Sequence, residues 1–252
     1  MTTQPLLGLD EPITALVIGG RDGVGGAMVQ ALLSHTTTQA VFVTSRDQGW
    51  VAEPSGDARC HRRCLDITRA DQMQELADEL QDTDLNVILN CSGLLHTPEF
   101  GPERTWRHLS IDAMQQVFAV NTFGVALAVR YLLPLLPRTR RSIFASISAR
   151  VGSIGDNQLG GWYSYRASKA AQNMVIRTGA IEAKRTRPKL VCVTLHPGTV
   201  KTALSDPFTK RKAPDQLLTP EESTGHLLRV LSGLSAKDSG YHFAWDGDRI
   251  PW

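Results

Sequence analysis

Tyr165 and Lys169 are four residues apart, a phenol and an amine at a spacing that could do acid–base chemistry. Positions four apart lie on one face of a helix. A free Tyr titrates at about 10, and a neighbouring Lys ammonium favours the phenolate and lowers that value. Tyr165 would then give a proton to a substrate oxygen, or take one, near neutral pH. The same spacing also suits an ordinary solvent-facing polar pair. The pair gains its meaning from the segments that precede it in the chain.

The hydrophobic pattern says which elements position it. Residues 13–18 form a short apolar run that meets glycines at once, as a buried parallel strand does. A helix is predicted over 23–33 and a second strand over 40–44. Thr68-Arg-Ala-Asp71 reads as a capping box opening a helix through Leu80. A buried strand follows at 85–89, then a long helical pattern over 110–136, stopped by proline. Residues 142–148 read as a strand, 162–185 as the helix carrying Tyr165 and Lys169, and 189–195 as another strand. Thr219-Pro-Glu-Glu222 is a second capping box, with Pro at the first helical position of a helix reaching about Leu234. Residues 241–245 can close the sheet. Strands and helices alternate throughout, which implies an α/β chain with one doubly wound parallel sheet of about seven strands. Residues 13–252 are expected to form a single domain behind a loose tail over 1–12, with no linker, repeat or low-complexity segment dividing them.

Bulk properties exclude several classes of function. The net charge of +2 is too small to imply nucleic acid, and the short basic runs Arg138-Thr-Arg-Arg141 and Lys210-Arg-Lys212 read as solvated loops. The most apolar stretch, 123–136, is interrupted by Arg130 and contains Pro134, so no membrane span is expected. The N-terminus lacks a basic-then-apolar leader pattern, and the default expectation is cytoplasmic. Cys60-His-Arg-Arg-Cys64 could be half of a metal site, but no matching pair follows and two arginines would repel a cation. No metal is expected, and reduced, structural thiols are.

The first strand runs into Gly19-Gly-Arg-Asp-Gly23-Val24-Gly25. Glycines here permit a tight turn and let backbone N–H groups approach a pyrophosphate at a helix N-terminus. The second strand ends in Thr44-Ser45-Arg46-Asp47. An acid at that strand end would bind the adenosine ribose hydroxyls and favour NAD. Ser45 and Arg46 stand there instead, and Arg can hold a 2′-phosphate in a bidentate way. Arg21 could reach the same phosphate. NADP(H) is therefore expected over NAD(H), with Asp47 as the opposing feature. Asp66, followed by Ile67, could bond an adenine amino group or simply make the turn before Thr68. Asn90-Cys91-Ser92-Gly93 ends a buried strand, where Gly93 would let backbone pass close to a cofactor.

Taken in this order, these segments resemble the short-chain dehydrogenase/reductase family over essentially the whole chain. Asn121 within Val-Asn-Thr-Phe-Gly, the Ser-bearing strand before Tyr165, and Pro197-Gly198-Thr-Val200-Lys-Thr202 belong to the same resemblance. Details are closest to its C-factor-like and Sniffer-like carbonyl reductases: the Gly152-Ser-Ile-Gly-Asp-Asn loop, Gly160-Gly161, and the ending Asp246-Gly-Asp-Arg-Ile-Pro-Trp252. The resemblance implies a Rossmann fold and a hydride supplied by the cofactor. It implies Tyr165 as general acid, Lys169 as the residue that lowers its pKa and bonds the nicotinamide ribose, and Asn121 holding backbone and water for proton relay. Pro197, Gly198, Val200 and Thr202 would flank the nicotinamide, although Thr202 could simply cap the next segment. It further implies a homodimer or homotetramer built on the helices at 110–136 and 162–185.

One departure matters. The family pattern Ile-Ser-Ser-x-x-Gly, with the second Ser catalytic, reads here Ile147-Ser148-Ala149-Arg150-Val151-Gly152. Ser148 takes over if the strand end bulges by one residue, or Ser153 approaches from the loop. On an unbulged strand Ser148 would point to the other face. Residues 203–218, with Phe208, read as a mobile lid over a pocket that Trp162, Leu159 and His196 would line, although Trp162 could equally be ordinary packing. The leading expectation is an NADPH-dependent reductase of a small carbonyl compound. The rival, which Ala149 sustains, is an NADP(H)-binding sensor with weak or no turnover.

Overall fold

The computed structural model describes residues 6–210, 213 and 216–252. Seven strands form one sheet: β1 (Ile13–Ile18), β2 (Thr38–Ser45), β3 (Cys60–Cys64), β4 (Val87–Asn90), β5 (Ser142–Ile147), β6 (Leu190–His196) and β7 (His242–Ala244). Their order is β3-β2-β1-β4-β5-β6-β7, and every neighbouring pair is parallel. β1 is buried along its whole length and alternates between two cores. Ala15 and Val17 pack with residues of α1 (Gly23–Leu33) and α8 (Pro220–Gly233). Leu16 and Ile18 pack with α3 (Ala70–Leu80), α5 (Gly124–Tyr131) and α6 (Tyr163–Ala183). The chain leaves β1 towards β2 on one side and returns to β4 on the other. The strand order therefore reverses beside β1, and a crevice opens at the carboxyl ends there.

Several expectations are corrected. The edge strand β3 is Cys-His-Arg-Arg-Cys, too polar to show as a buried run. As an edge it tolerates charge: Arg62 stacks over the Trp50 ring at 4.0 Å and Arg63 pairs with Glu79. Thr68 caps nothing; its hydroxyl donates to Asp66 Oδ1, and α3 starts after Arg69 without a side-chain cap. The capping box at Thr219 forms as expected. The stretch before β1 is not loose where it is described: Leu7 and Leu9 are buried in the core, and Arg141 donates to the Leu7 carbonyl.

The long helix after residue 110 is three pieces: α4 (Ile111–Phe118), a π-turn over Ala119–Phe123, and α5. Contrary to the sequence expectation, the run Ile111–Leu135 is long and apolar enough, by length and composition, to cross a membrane. Here it forms a helical layer against the sheet, with Val117, Val125, Ala128 and Leu132 buried. Two short helices, α2 (Gln48–Ala52) and α7 (Asp206–Thr209), complete the described fold.

Candidate active site

The crevice begins at the glycine turn. Gly19 (φ 74) and Gly23 (φ 53) occupy the left-handed region that favours glycine. A Cβ on Gly25 would lie 2.1 Å from the Gly19 carbonyl oxygen, so no side chain fits between turn and helix. Asp22, at the head of α1, makes no side-chain cap, so the first amides of that helix face the crevice unclaimed by a cap. This is a cradle suited to a pyrophosphate. Beyond it lies a cleft of about 640 Å³ between the ends of β1, β2 and β4. Its walls include Arg21, Ser45, Arg46, Asp66 and Ile67.

Charge in this cleft is arranged asymmetrically. Asp47 caps α2 by accepting the Trp50 N–H at 3.0 Å and is ion-paired with Arg21. The Trp50 amide bond above all, with the Arg21 guanidinium and the Gly49 amide, holds its carboxyl below the usual range, against the opposing effect of burial. Asp47 is thereby drawn to the helix, and Arg21 is committed to it rather than free for a phosphate. Arg46 is exposed at the cleft wall and makes no ion pair among the described residues. Asp66 is half-buried at the wall and spends Oδ1 on the Thr68 amide and hydroxyl, which is the turn role.

The second half of the crevice is a more apolar recess holding Tyr165 and Lys169, with Gly23, Val24, Gly25 and Cys91 at one end. Pro197, Gly198, Val200 and Thr202 form another wall. Tyr165 is buried and has its pKa pushed up by that burial, not lowered by Lys169 as the spacing suggested. The ammonium is turned away: Lys169 Nζ donates to the Ile147 carbonyl at 3.0 Å and to Gln172 Oε1 at 2.8 Å, and lies 5.8 Å from the Tyr165 ring centre. Desolvation pulls the Lys169 pKa down to about 7. Burial pushes the Cys91 thiol up to about 12, which leaves it unreactive.

Asn90 and Asn121 stand behind the wall and hold it. Asn121, inside the π-turn, exchanges two 2.8 Å hydrogen bonds with the backbone of Leu94 and donates to Ser168 Oγ on α6. A Cβ on Gly93 would lie 3.8 Å from both Asn121 Oδ1 and Lys169 Nζ, so Gly93 keeps that space open. Asn90 accepts from Ser92 and donates to Ser146 Oγ, which also accepts from Gln172. Ser146 and Gln172 complete this network, and sequence reasoning missed both. Gln172 sits one turn beyond Lys169, and that spacing was the available signal.

The strand end does not bulge. β5 keeps its register on β6 through Ile147, and the Ser148 amide continues it by donating to Leu195. Ala149 is still extended (φ −151, ψ 145) and packs into the apolar cluster that contains Tyr165 and Leu95. Ser148 lies at the recess, but its hydroxyl is buried without a hydrogen-bond partner among the described residues. Ser153 Oγ accepts the Asp156 amide instead of reaching the recess. Trp162 and His196 line the recess as expected, whereas Leu159 is 91% exposed and does not. The lid expectation falls partly on 211–212 and 214–215, outside the described residues. Within it, Leu204 and Phe208 line the recess, and Phe208 meets Trp162 edge-on at 5.2 Å.

Comparison with known proteins places this geometry. A family model described as short chain dehydrogenase matches residues 13–213. The C-signal protein of Myxococcus xanthus is 36% identical over 140 residues, 55% of this chain and 78% of that one. The 1-hydroxy-2-glutathionyl-2-methyl-3-butene dehydrogenase of Rhodococcus sp. (strain AD45) is 27% identical over 95% of this chain and 99% of its own. Among solved structures, an NADPH-bound carbonyl reductase from chicken fatty liver superposes with a TM-score of 0.83 at 28% identity, covering 96% of each chain. The carbonyl reductase Sniffer of D. melanogaster does so at 0.81 and 25%, covering 96% of this chain and 100% of that one. A family match that spans six of the seven strands, the glycine turn and the Tyr165 helix makes this chain a member of the short-chain dehydrogenase family of oxidoreductases.

Proposed function

We propose that the protein is an NADP(H)-dependent carbonyl reductase, reversible as an alcohol dehydrogenase, acting on a small apolar carbonyl compound. The observation that carries this reading is the continuity of the crevice. The same groove runs from the Arg46 guanidinium, which makes no ion pair among the described residues, past the glycine cradle, to the Tyr165 phenol in an apolar recess. Arg46 would hold the 2′-phosphate, the head of α1 the pyrophosphate, and Lys169 the nicotinamide ribose. NADP-bound relatives support the cofactor choice, including a short-chain dehydrogenase/reductase from Burkholderia multivorans at 27% identity and a TM-score of 0.78. When bound, the nicotinamide supplies the hydride. As the carbonyl carbon is reduced, its oxygen gains negative charge and takes the Tyr165 proton. A raised phenol pKa keeps that proton in place across neutral pH. Leu95, Val151, Leu204 and Phe208 wall the substrate in apolar surface, which limits competing water. Exposed Phe123, Met174 and Ile181 on the outer helices support assembly with a second copy.

NADPH consumption across a panel of aldehydes, ketones and diketones tests the reading. Turnover supports it, and tight NADPH binding without turnover favours the rival sensor reading. That rival rests on Ala149, which leaves the substrate oxygen without a second donor beside Tyr165. Restoring the hydroxyl, Ala149→Ser, is expected to raise kcat/KM by about 100-fold, the lower end of what one such donor contributes. Ser148→Ala is expected to turn over at the parent rate, because its hydroxyl is sealed away. An active-site role for Ser148 would reverse both results.

NADPH affinity should depend on pH through Lys169. Its ammonium is the form that attracts the anionic cofactor, and that form is lost as pH rises through about 7. The Kd is expected to rise above that pH, by up to about tenfold per unit for one linked proton. Fluorescence titration reads it, and Lys169→Met should flatten the dependence.

A further inference from the structure

Among the described residues, Glu103 is the one buried carboxylate, at 5% exposure, and it makes no ion pair. A buried carboxylate without a cation needs hydrogen bonds to hold it. All of those observed come from the head of α6. The Ser164 amide donates to Oε2 at 3.1 Å, and the Ser164 hydroxyl donates to Oε1. The Trp162 amide donates to the Glu103 backbone carbonyl.

The head of α6 needs outside support. Trp162 occupies its N-cap position, makes no side-chain cap, and is left-handed at φ 55. It ends a run of three left-handed residues with Gly160 (φ 63) and Gly161 (φ 65). A bulky residue holds that conformation only where its surroundings over-determine it. Glu103 grips one side. On the other, the Arg166 guanidinium donates to the carbonyls of Val151, Gly160 and Gly161. Tyr165 follows Ser164 directly, and the Trp162 ring meets the Tyr165 ring edge-on at 6.1 Å.

We infer that Glu103 is a positioning residue: from a loop 61 residues upstream its carboxylate caps α6 and fixes where Tyr165 and Trp162 stand in the recess. The catalytic consequence rests on the reductase reading; the capping itself does not. Gln in its place keeps the shape but removes the charge that favours a helix N-terminus and one of the accepting oxygens. Glu103→Gln and Ser164→Ala would be compared with the parent by steady-state kinetics and by hydrogen exchange. Glu103→Gln is expected to lower kcat about tenfold, the scale of one lost cap, with the KM for NADPH within about twofold. Amides of 163–166 should lose protection while the strands keep theirs. Ser164→Ala, which retains the backbone bond, should lose less of both. Unchanged kcat in Glu103→Gln overturns the inference. So does a joint fall in kcat, NADPH affinity and strand protection, which would mark general unfolding. If the parent shows no turnover, the reductase reading fails and exchange alone decides: confined loss at 163–166 supports the cap, and unchanged protection removes it.

Discussion

Tyr165→Phe should abolish most carbonyl reduction, lowering kcat by about 10²–10⁴-fold, the range of a lost general acid, while leaving NADPH binding unchanged. The substitution removes one oxygen and keeps the ring that packs with Leu95 and Val117. Fold and recess should therefore persist, and the loss can be read as loss of the proton donor. The sign of the pH effect follows from burial. A phenol with a raised pKa stays protonated through neutral pH, so it does not limit reduction there. Alcohol oxidation needs the phenolate and should gain with rising pH. Parallel assays in both directions, with NADPH binding followed by fluorescence, check this. A Tyr165→Phe protein that reduces substrate at the parent rate would move the acid elsewhere and end the proposed mechanism.

Arg46→Asp should invert the cofactor preference. The guanidinium stands at the cleft wall without an ion pair among the described residues, so no internal partner would be orphaned by its removal. A charge-assisted bond to phosphate contributes about 1.5–3 kcal/mol, and an Asp at this place would add repulsion of the 2′-phosphate and an acceptor for a ribose hydroxyl. The ratio of kcat/KM for NADPH over NADH is expected to fall by about 100-fold or more. Arg21 should matter less, because Asp47 already engages it. An unchanged ratio in Arg46→Asp would refute the 2′-phosphate assignment.

Much of this was legible in the sequence because it depends on local pattern. Apolar runs meeting glycine located β1 and its turn, and alternation of elements implied the parallel sheet. Of the expected site residues, all but Asn90 and Asn121 reach the crevice wall, and those two brace it. What escaped was non-local. β3 is an edge strand with two arginines, so no hydrophobic run announces it. Glu103 acts across a long sequence separation, and nothing beside it in the chain signals a cap. The orientation of Lys169 was misread because helix spacing says which face a side chain shares, not where a long flexible chain ends. Here the acceptors of Gln172 and Ile147 decided it.

The π-turn over Ala119–Phe123 has a further consequence. It adds about one residue to a turn, and each residue of an α-helix advances the azimuth by about 100°. α5 is therefore rotated against α4 by about 100°, enough to carry an inward position round to the flank of the helix. Deleting a single residue from the turn would regularise the helix and swing one half about its axis. Either Val125 and Ala128 would leave the core or Asn121 would leave Leu94. Chain length in this segment is thus constrained as tightly as residue identity. A one-residue gap here would disable the protein even with every named side chain intact.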